Sequence, residues 1–193
     1  KLNATPKFEL TIPSTQQTVK YRPYLVKEEK ILLLAFESKD EKQSMQAMVD
    51  TIEACIEDII DVGKLTSFDV EYMFTQIRSK SVGETGKVGM ICSECEHRTP
   101  TDIDLSTVEI VIPDIDNKVK LTDEIVLELK YPSFQIFVDN YTKGINESEF
   151  SFMVIRNCIL AVQTAEERIT MEGIADEEID NFNYGRLSNL NKI

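Results

Sequence analysis

The sequence predicts an α+β fold, and three observations support this prediction. Near the start, strand-forming residues flank a Pro-Ser-Thr turn in the stretch KFELTIPSTQQTVKYR at 7–22. Over 25–80, apolar residues recur every three or four positions, which is the spacing of one helix face. Over 87–131 the spacing changes to alternation, which is typical of antiparallel strands. An N-terminal hairpin, a helical segment and a small sheet should therefore follow one another along the chain.

The helical segment should contain three helices, over 25–38, 41–62 and 67–80. In the first helix, six consecutive apolar residues at Ile31–Phe36 indicate burial on several sides. Asp40 is expected to cap the second helix, and Gly63 is expected to end it. Ser67 and Asp69 should begin the third helix.

The rest of the chain should hold an antiparallel sheet with a C-x-x-C turn, followed by C-terminal helices. Ser148 is the expected cap of a helix over 148–164. Beyond residue 164 the chain is acidic and polar, and we expect a loosely held end or a segment ordered by a partner. We expect one domain over 1–193, with a hairpin and helices in 7–86, the sheet in 87–132 and helices in 133–193.

The charge of the chain argues against nucleic acid and membrane partners. The 193 residues include 34 acidic and 21 basic ones, so the formal net charge is −13. This charge repels phosphates and anionic headgroups, and it favours solubility or a basic protein partner. No apolar run approaches the roughly 18 residues that a membrane span needs, and the first ten residues lack a secretory core. We expect synthesis in a reducing cytosol, because the four cysteines do not suggest a disulfide framework.

The stretch MICSECEHR raises the question of a metal site. Cys92 and Cys95 lie between two predicted strands, and His97, the single histidine, follows. Structural zinc needs four ligands, so His97 could be a third and Asp102, Asp104 or another subunit could supply a fourth. A redox pair more often opens a helix in a βαβ unit. A hairpin turn is the leading interpretation, with a zinc site at Cys92, Cys95 and His97 as the alternative.

The other two cysteines, Cys55 and Cys158, lie on apolar helical stripes and are expected to be buried. The sequence also lacks the motifs of an enzyme. A Ser-His-Asp arrangement would need His97 on a surface turn, and no phosphate-binding glycine loop is present. A hydrolase with a carboxylate pair is a third interpretation, although no spacing singles out such a pair. We therefore predict no enzymatic activity, no catalytic residues and no cofactor other than zinc.

Several stretches resemble the baseplate hub protein family of T-even-type phages. They are YRPYLVKEEKILLLA at 21–35, FDVEYMF at 68–74, IRSKSVGE at 77–84, the C-x-x-C turn, Ile103-Asp104-Leu105 and Leu129-Lys130-Tyr131-Pro132. The resemblance covers roughly residues 8 to 165. It implies a structural protein that helps build the central hub of a contractile tail baseplate, not an enzyme. The implied partners are other hub or tail proteins or further copies of the chain, in the host cytoplasm during assembly and in the virion tail baseplate.

Three basic residues are candidates for partner contact within this acidic protein. Lys27 lies at the start of the first predicted helix, and Arg78 and Lys80 lie at the end of the third. Cations at a helix C-terminus interact favourably with the helix dipole, so capping and solvation also account for them. We expect this charged rim to contact another hub component. The alternative function is a zinc-stabilised protein-binding module.

Overall fold

The structure, a computed structural model, describes residues 5–141 and 146–171. These residues contain five α-helices and three small antiparallel sheets, which confirms a mixed α and β protein. They fall into two compact units, of which one is Lys1–Ile112 with Ser133–Tyr141 and the other is Pro113–Pro132 with Thr142–Ile193. The single domain over 1–193 stays a prediction. Within the described ranges, no helix has the length and apolar character needed to cross a membrane.

The predicted N-terminal hairpin is confirmed. Strands β1 (Phe8–Thr11) and β2 (Thr18–Tyr21) pair antiparallel. The loop closes where the Ile12 N–H donates to the Gln17 carbonyl at 2.9 Å, and Gln16 takes a positive φ of 57°. Alternate side chains of the hairpin enter the core, as the period of two predicts.

Three helices follow the hairpin, as predicted: α1 (Val26–Glu37), α2 (Glu41–Cys55) and α3 (Ser67–Val82). Asp40 caps α2 by accepting from the Gln43 N–H at 3.1 Å. The prediction that α2 continues to Gly63 is wrong, because the backbone after Cys55 pairs with the hairpin instead. The Arg22 N–H donates to the Cys55 carbonyl at 3.0 Å, and the Glu57 N–H donates to the Lys20 carbonyl at 2.9 Å.

The core of the first unit lies between the hairpin, α2, α3 and a fourth helix, α4 (Phe134–Asn140). A 3₁₀ turn at Val62–Lys64 leads into α3, and the Phe134 N–H donates to the Leu65 carbonyl at 2.7 Å. The side chains that fill this core are Leu10, Ile12, Val19, Tyr21, Val49, Ile52, Cys55, Val62, Val70, Met73, Ile77, Phe134 and Val138.

A buried carboxylate joins the hairpin loop to the start of α3. Asp69 is 0% exposed, and Ser14 donates its backbone N–H to Oδ1 at 2.9 Å and its hydroxyl to Oδ2 at 2.5 Å. Thr66, the N-cap of α3, donates its hydroxyl to Oδ2 at 2.6 Å and its N–H at 3.1 Å. A buried charge is tolerable only when it is hydrogen-bonded in this way.

Helix α1 is attached to the hairpin and to α2 through Glu28. This side chain is buried, and its carboxylate accepts from the Leu25 N–H at 2.7 Å and from Arg22 Nη2 at 3.0 Å. Arg22 Nη2 also donates to the Ala54 carbonyl at 2.8 Å. Burial alone would raise the pKa of Glu28, but the hydrogen bonds from Leu25, Arg22 and Lys27 outweigh burial and lower the pKa.

The sheet predicted over 87–132 is divided. Strands β3 (Thr85–Ile91) and β4 (Arg98–Asp104) form a separate two-stranded ribbon, followed by a 3₁₀ turn at Leu105–Thr107. Within the predicted sheet, the alternating residues at Val108–Ile112 do not form a strand. Alternation of apolar and polar residues does not by itself provide a partner strand. A segment without hydrogen bonds to a partner strand does not form a β-strand.

The second unit contains a four-stranded antiparallel sheet in the order β5 (Lys118–Lys120), β6 (Val126–Leu129), β7 (Ile159–Gln163), β8 (Arg168–Thr170). Helix α5 (Glu147–Cys158) runs directly into β7, so the helix predicted over 148–164 is wrong beyond Cys158. The apolar run after Cys158 pairs with β6, and short apolar runs fit a strand as well as a helix.

Two further sequence predictions concern the C-terminal part. Ser148 is not the cap of α5, because Asn146 Oδ1 accepts from the Ser148 N–H at 2.9 Å and Asn146 is the N-cap. The acidic tail lies for the most part outside the described residues, which end at 171.

Replacing the buried carboxylate should destabilise the first unit strongly. In Asp69→Ala, the donors of Ser14 and Thr66 would lose their acceptor in a buried site. We expect a loss of about 3 kcal/mol in the free energy of unfolding, measured by urea titration. Asp50→Ala, which removes an exposed carboxylate on α2, should change this free energy by less than about 0.5 kcal/mol. Equal losses in the two variants would contradict the role of Asp69.

Glu28 should make stability depend on pH. Its pKa is lowered by folding, so its contribution is present above the unfolded pKa and is lost as the pH falls through the folded pKa. At pH 7, Glu28→Gln should be less stable than the wild type by about 1–3 kcal/mol. The difference should shrink at pH values below about 4, as the wild-type carboxylate protonates. Urea titrations at pH 7 and pH 3 measure this, and a difference independent of pH would contradict it.

Candidate partner-binding surface

Helix α1 leaves most of its apolar side chains exposed. Within the apolar run, Leu32 is 4% exposed, whereas Ile31 is 54%, Leu33 55%, Leu34 58% and Phe36 46% exposed. The expected burial on several sides therefore occurs on one side only within the described chain. The sequence signal for this exposure is the apolar run itself, because six consecutive apolar residues cover more than one face of a helix.

The exposed residues lie on both sides of the buried strip of α1. At 100° per residue, Glu28 and Leu32 share the side that faces the protein. Ile31 and Leu34 lie on one flank of that side, and Phe36 lies on the other. Soluble monomers rarely expose contiguous apolar patches of large side chains, and such patches mark interaction sites. We call Ile31, Leu33, Leu34 and Phe36 the α1 surface.

The predicted contact residues Lys27, Arg78 and Lys80 surround a junction between α1 and α3. The Tyr24 N–H, just before α1, donates to the Ser81 hydroxyl in the last turn of α3 at 3.0 Å. Burial raises the pKa of Tyr24, and the nearby charge of Arg78 acts in the opposite direction. The folded chain thus brings the start of α1 close to the end of α3.

These basic residues differ in how far they are engaged within the chain. The Lys27 side chain is 72% exposed, and its Nζ lies 3.3 Å from Glu28 Oε1. Lys80 pairs with Glu84, and its Nζ lies 5.6 Å from the centre of the Phe8 ring. The role of Lys27, Arg78 and Lys80 in partner contact stays a prediction.

The C-x-x-C stretch forms the loop of the β3–β4 ribbon. The Cys92 N–H donates to the His97 carbonyl at 3.0 Å, and the Glu96 N–H donates to the Cys92 carbonyl at 3.0 Å. Glu96 has a positive φ of 56°, like Gln16 in the first hairpin, so the two loops share one geometry. The stretch therefore lies at the tip of a hairpin that leaves both thiols exposed.

The chemistry of this loop favours a thiolate. The backbone N–H groups of Cys95 and Glu94, together with the Cys95 side chain, lower the pKa of the Cys92 thiol. His97 lies opposite Cys92 across the loop, yet the described residues contain no group of three or more His, Cys, Asp or Glu side chains placed to hold a metal ion. The ligand set Cys92, Cys95 and His97 stays a prediction.

Asp104, a candidate ligand, has a structural role instead, and the other two cysteines are shielded from solvent. Asp104 accepts from the Ser106 N–H at 2.9 Å and caps the 3₁₀ turn, and Asp102 is exposed on β4. Cys55 is buried, as predicted, and burial raises the pKa of its thiol to about 11. Cys158 is half-buried, and burial raises the pKa of its thiol too.

Comparison with known proteins gives one family. Searches among curated proteins and among solved structures find no match. A family model described as T4 bacteriophage base plate protein matches residues 5–187 of the 193-residue chain. The match spans both units and the stretches that resemble phage baseplate proteins in sequence. The chain therefore belongs to the T4 bacteriophage base plate protein family.

Proposed function

We propose that the chain helps build the central hub of the tail baseplate, and that the α1 surface is where another baseplate protein docks. Membership of the family makes the chain a phage baseplate structural protein. The hub and the docking surface are the proposed refinements. The observation that carries the docking proposal is the exposure of four large apolar side chains on one helix.

The α1 surface can supply part of the energy of a complex. Full burial of a Leu, Ile or Phe side chain contributes about 1.5–3 kcal/mol, and these four are already about half buried. Completing their burial would contribute about 3–6 kcal/mol before the losses of association. An aromatic side chain such as Phe36 is of a type enriched at the core of interfaces, and exposed apolar patches mark interaction sites.

The charge of the chain supports a protein partner with basic residues around an apolar site. The net charge is −13, so complementary association would be steered electrostatically. Lys27 and Arg78 are local exceptions that flank the start of α1, so acidic groups of the partner would lie opposite these two side chains and fix its orientation. We place them at the rim of the interface, where charges affect the association rate more than the affinity.

A second candidate function is a zinc-stabilised protein-binding module. The observation that favours it is the exposure of the Cys92 and Cys95 thiols in one closed hairpin loop, since zinc binds thiolates. The two functions are compatible, because the metal would hold the β3–β4 ribbon while α1 docks.

Placing a charge on the α1 surface should abolish assembly without unfolding the chain. Leu34 is more than half exposed, so Leu34→Asp should lower the free energy of unfolding by only about 1–2 kcal/mol and leave the chain folded. In a co-expression of the phage's baseplate proteins, the variant should no longer co-purify with its neighbour, and phage lacking the wild-type gene should not be rescued. Glu53→Lys, an exposed change on α2, is the matched control and should assemble normally. Normal assembly by Leu34→Asp would contradict the proposal.

Reversing the rim charges should slow association. In the double variant Lys27→Glu and Arg78→Glu, we expect the association rate with the co-purified baseplate partner to fall by about tenfold at low salt. The effect should weaken as salt is raised, because exposed charges are screened. Lys42→Glu, on the exposed start of α2, should have a smaller effect. Unchanged kinetics in the double variant would exclude Lys27 and Arg78 from the interface.

A further inference from the structure

We infer that the tip of the β3–β4 ribbon is half of a zinc site, which is completed by Cys92 and Cys95 of a second copy of the chain. The inference rests on the zinc-stabilised module proposed above and names the source of the missing ligands. Four thiolates, two from each copy, would make a complete structural zinc site on a two-fold axis.

The β3–β4 ribbon lacks a core of its own. Every residue of β4 is exposed, and β3 buries only Gly86. A hairpin of two strands without a packed face is marginally stable in water. Such a ribbon therefore requires a cross-link or a covering surface, and a metal at the tip would cross-link it.

The loop presents two accessible sulfurs at the tip of the ribbon. Cys92 and Cys95 are both exposed, and both lie in the loop that the backbone hydrogen bonds between Cys92, Glu96 and His97 close. On binding zinc, each thiol would lose its proton to solvent, and no other chemical change is required.

A zinc ion at this loop would need ligands beyond Cys92 and Cys95. The described part of the chain holds no third side chain grouped with the two cysteines for metal binding. A structural zinc site is closed by four ligands. A two-fold axis through the metal doubles the two thiolates to four and needs no other protein, because an isologous contact uses the same patch on both copies.

One face of the β3–β4 ribbon is uncharged and continues from the cysteines. The strand register pairs Val88 with Thr101 and Met90 with Thr99. By strand alternation Cys92 falls on this same face, whereas Lys87, Asp102 and Arg98 fall on the opposite one. Val88 is 39% and Met90 58% exposed, so the face has apolar area left to bury. Two ribbons could therefore meet on neutral faces beside the shared metal.

Metal content and native mass test this inference on the full chain, purified reduced in the presence of zinc. We expect one zinc per two chains in a dimer, and chelation should return monomers. Cobalt substituted for zinc should show sulfur-to-cobalt charge-transfer absorption of a four-thiolate site. Cys92→Ser and Cys95→Ser should lose both metal and dimer, whereas the matched control Cys158→Ser and the variant His97→Ala should keep both.

Each result that would contradict the inference overturns a different part of it. One zinc per monomeric chain, or loss of the metal in His97→Ala, would overturn the shared four-thiolate site while keeping a zinc-stabilised module. Absence of zinc in reduced protein would overturn both the shared site and the module. A dimer that persists after chelation and in Cys92→Ser would separate self-association from metal binding and so contradict the inference.

Discussion

The buried carboxylate of Asp69 is the interaction on which the first unit depends. It fixes the hairpin loop at Ser14 and the start of α3 at Thr66 with hydrogen bonds to a single side chain. Because these two elements are held together, α2 can pack on both, and its C-terminus can pair with β2 rather than continue as a helix. The position of α1 follows in turn, since Arg22 and Glu28 attach its start to the end of the hairpin.

This arrangement explains how a stable unit can leave an apolar helix largely uncovered. The core formed by the hairpin and α2, α3 and α4 does not need the α1 surface, and α1 is anchored mainly through Glu28 and Leu32. The apolar residues that remain exposed contribute little to folding of the isolated chain. In an assembly protein, the same residues are available for the energy of association. Anchoring through the buried Glu28 carboxylate and docking through an apolar surface thus involve different residues of one helix.

Elements that depend on local residue type and spacing could be predicted from the sequence. The Pro13–Thr15 turn, the Asp40 cap and the start of α3 were all found from residue type and spacing. The end of α2 and the strand β7 could not be predicted in this way, because both depend on pairing with distant segments, Lys20 and β6 respectively. For the candidate site, the run at 31–36 was visible in the sequence, but its exposure depends on what the rest of the chain covers. The basic residues stand out by charge contrast, whereas the engagement of Lys80 with Phe8 and Glu84 depends on how α3 lies against the hairpin.

The most direct test of the account is side-chain footprinting of α1 in the free chain and in the assembled baseplate. The reagent should label the exposed side chains of Ile31, Leu33, Leu34 and Phe36 in the free chain. If α1 is the docking surface, assembly should protect these four residues, while exposed α2 positions such as Lys42 and Glu53 keep their labelling. Equal labelling of the α1 surface in both states would contradict the central claim.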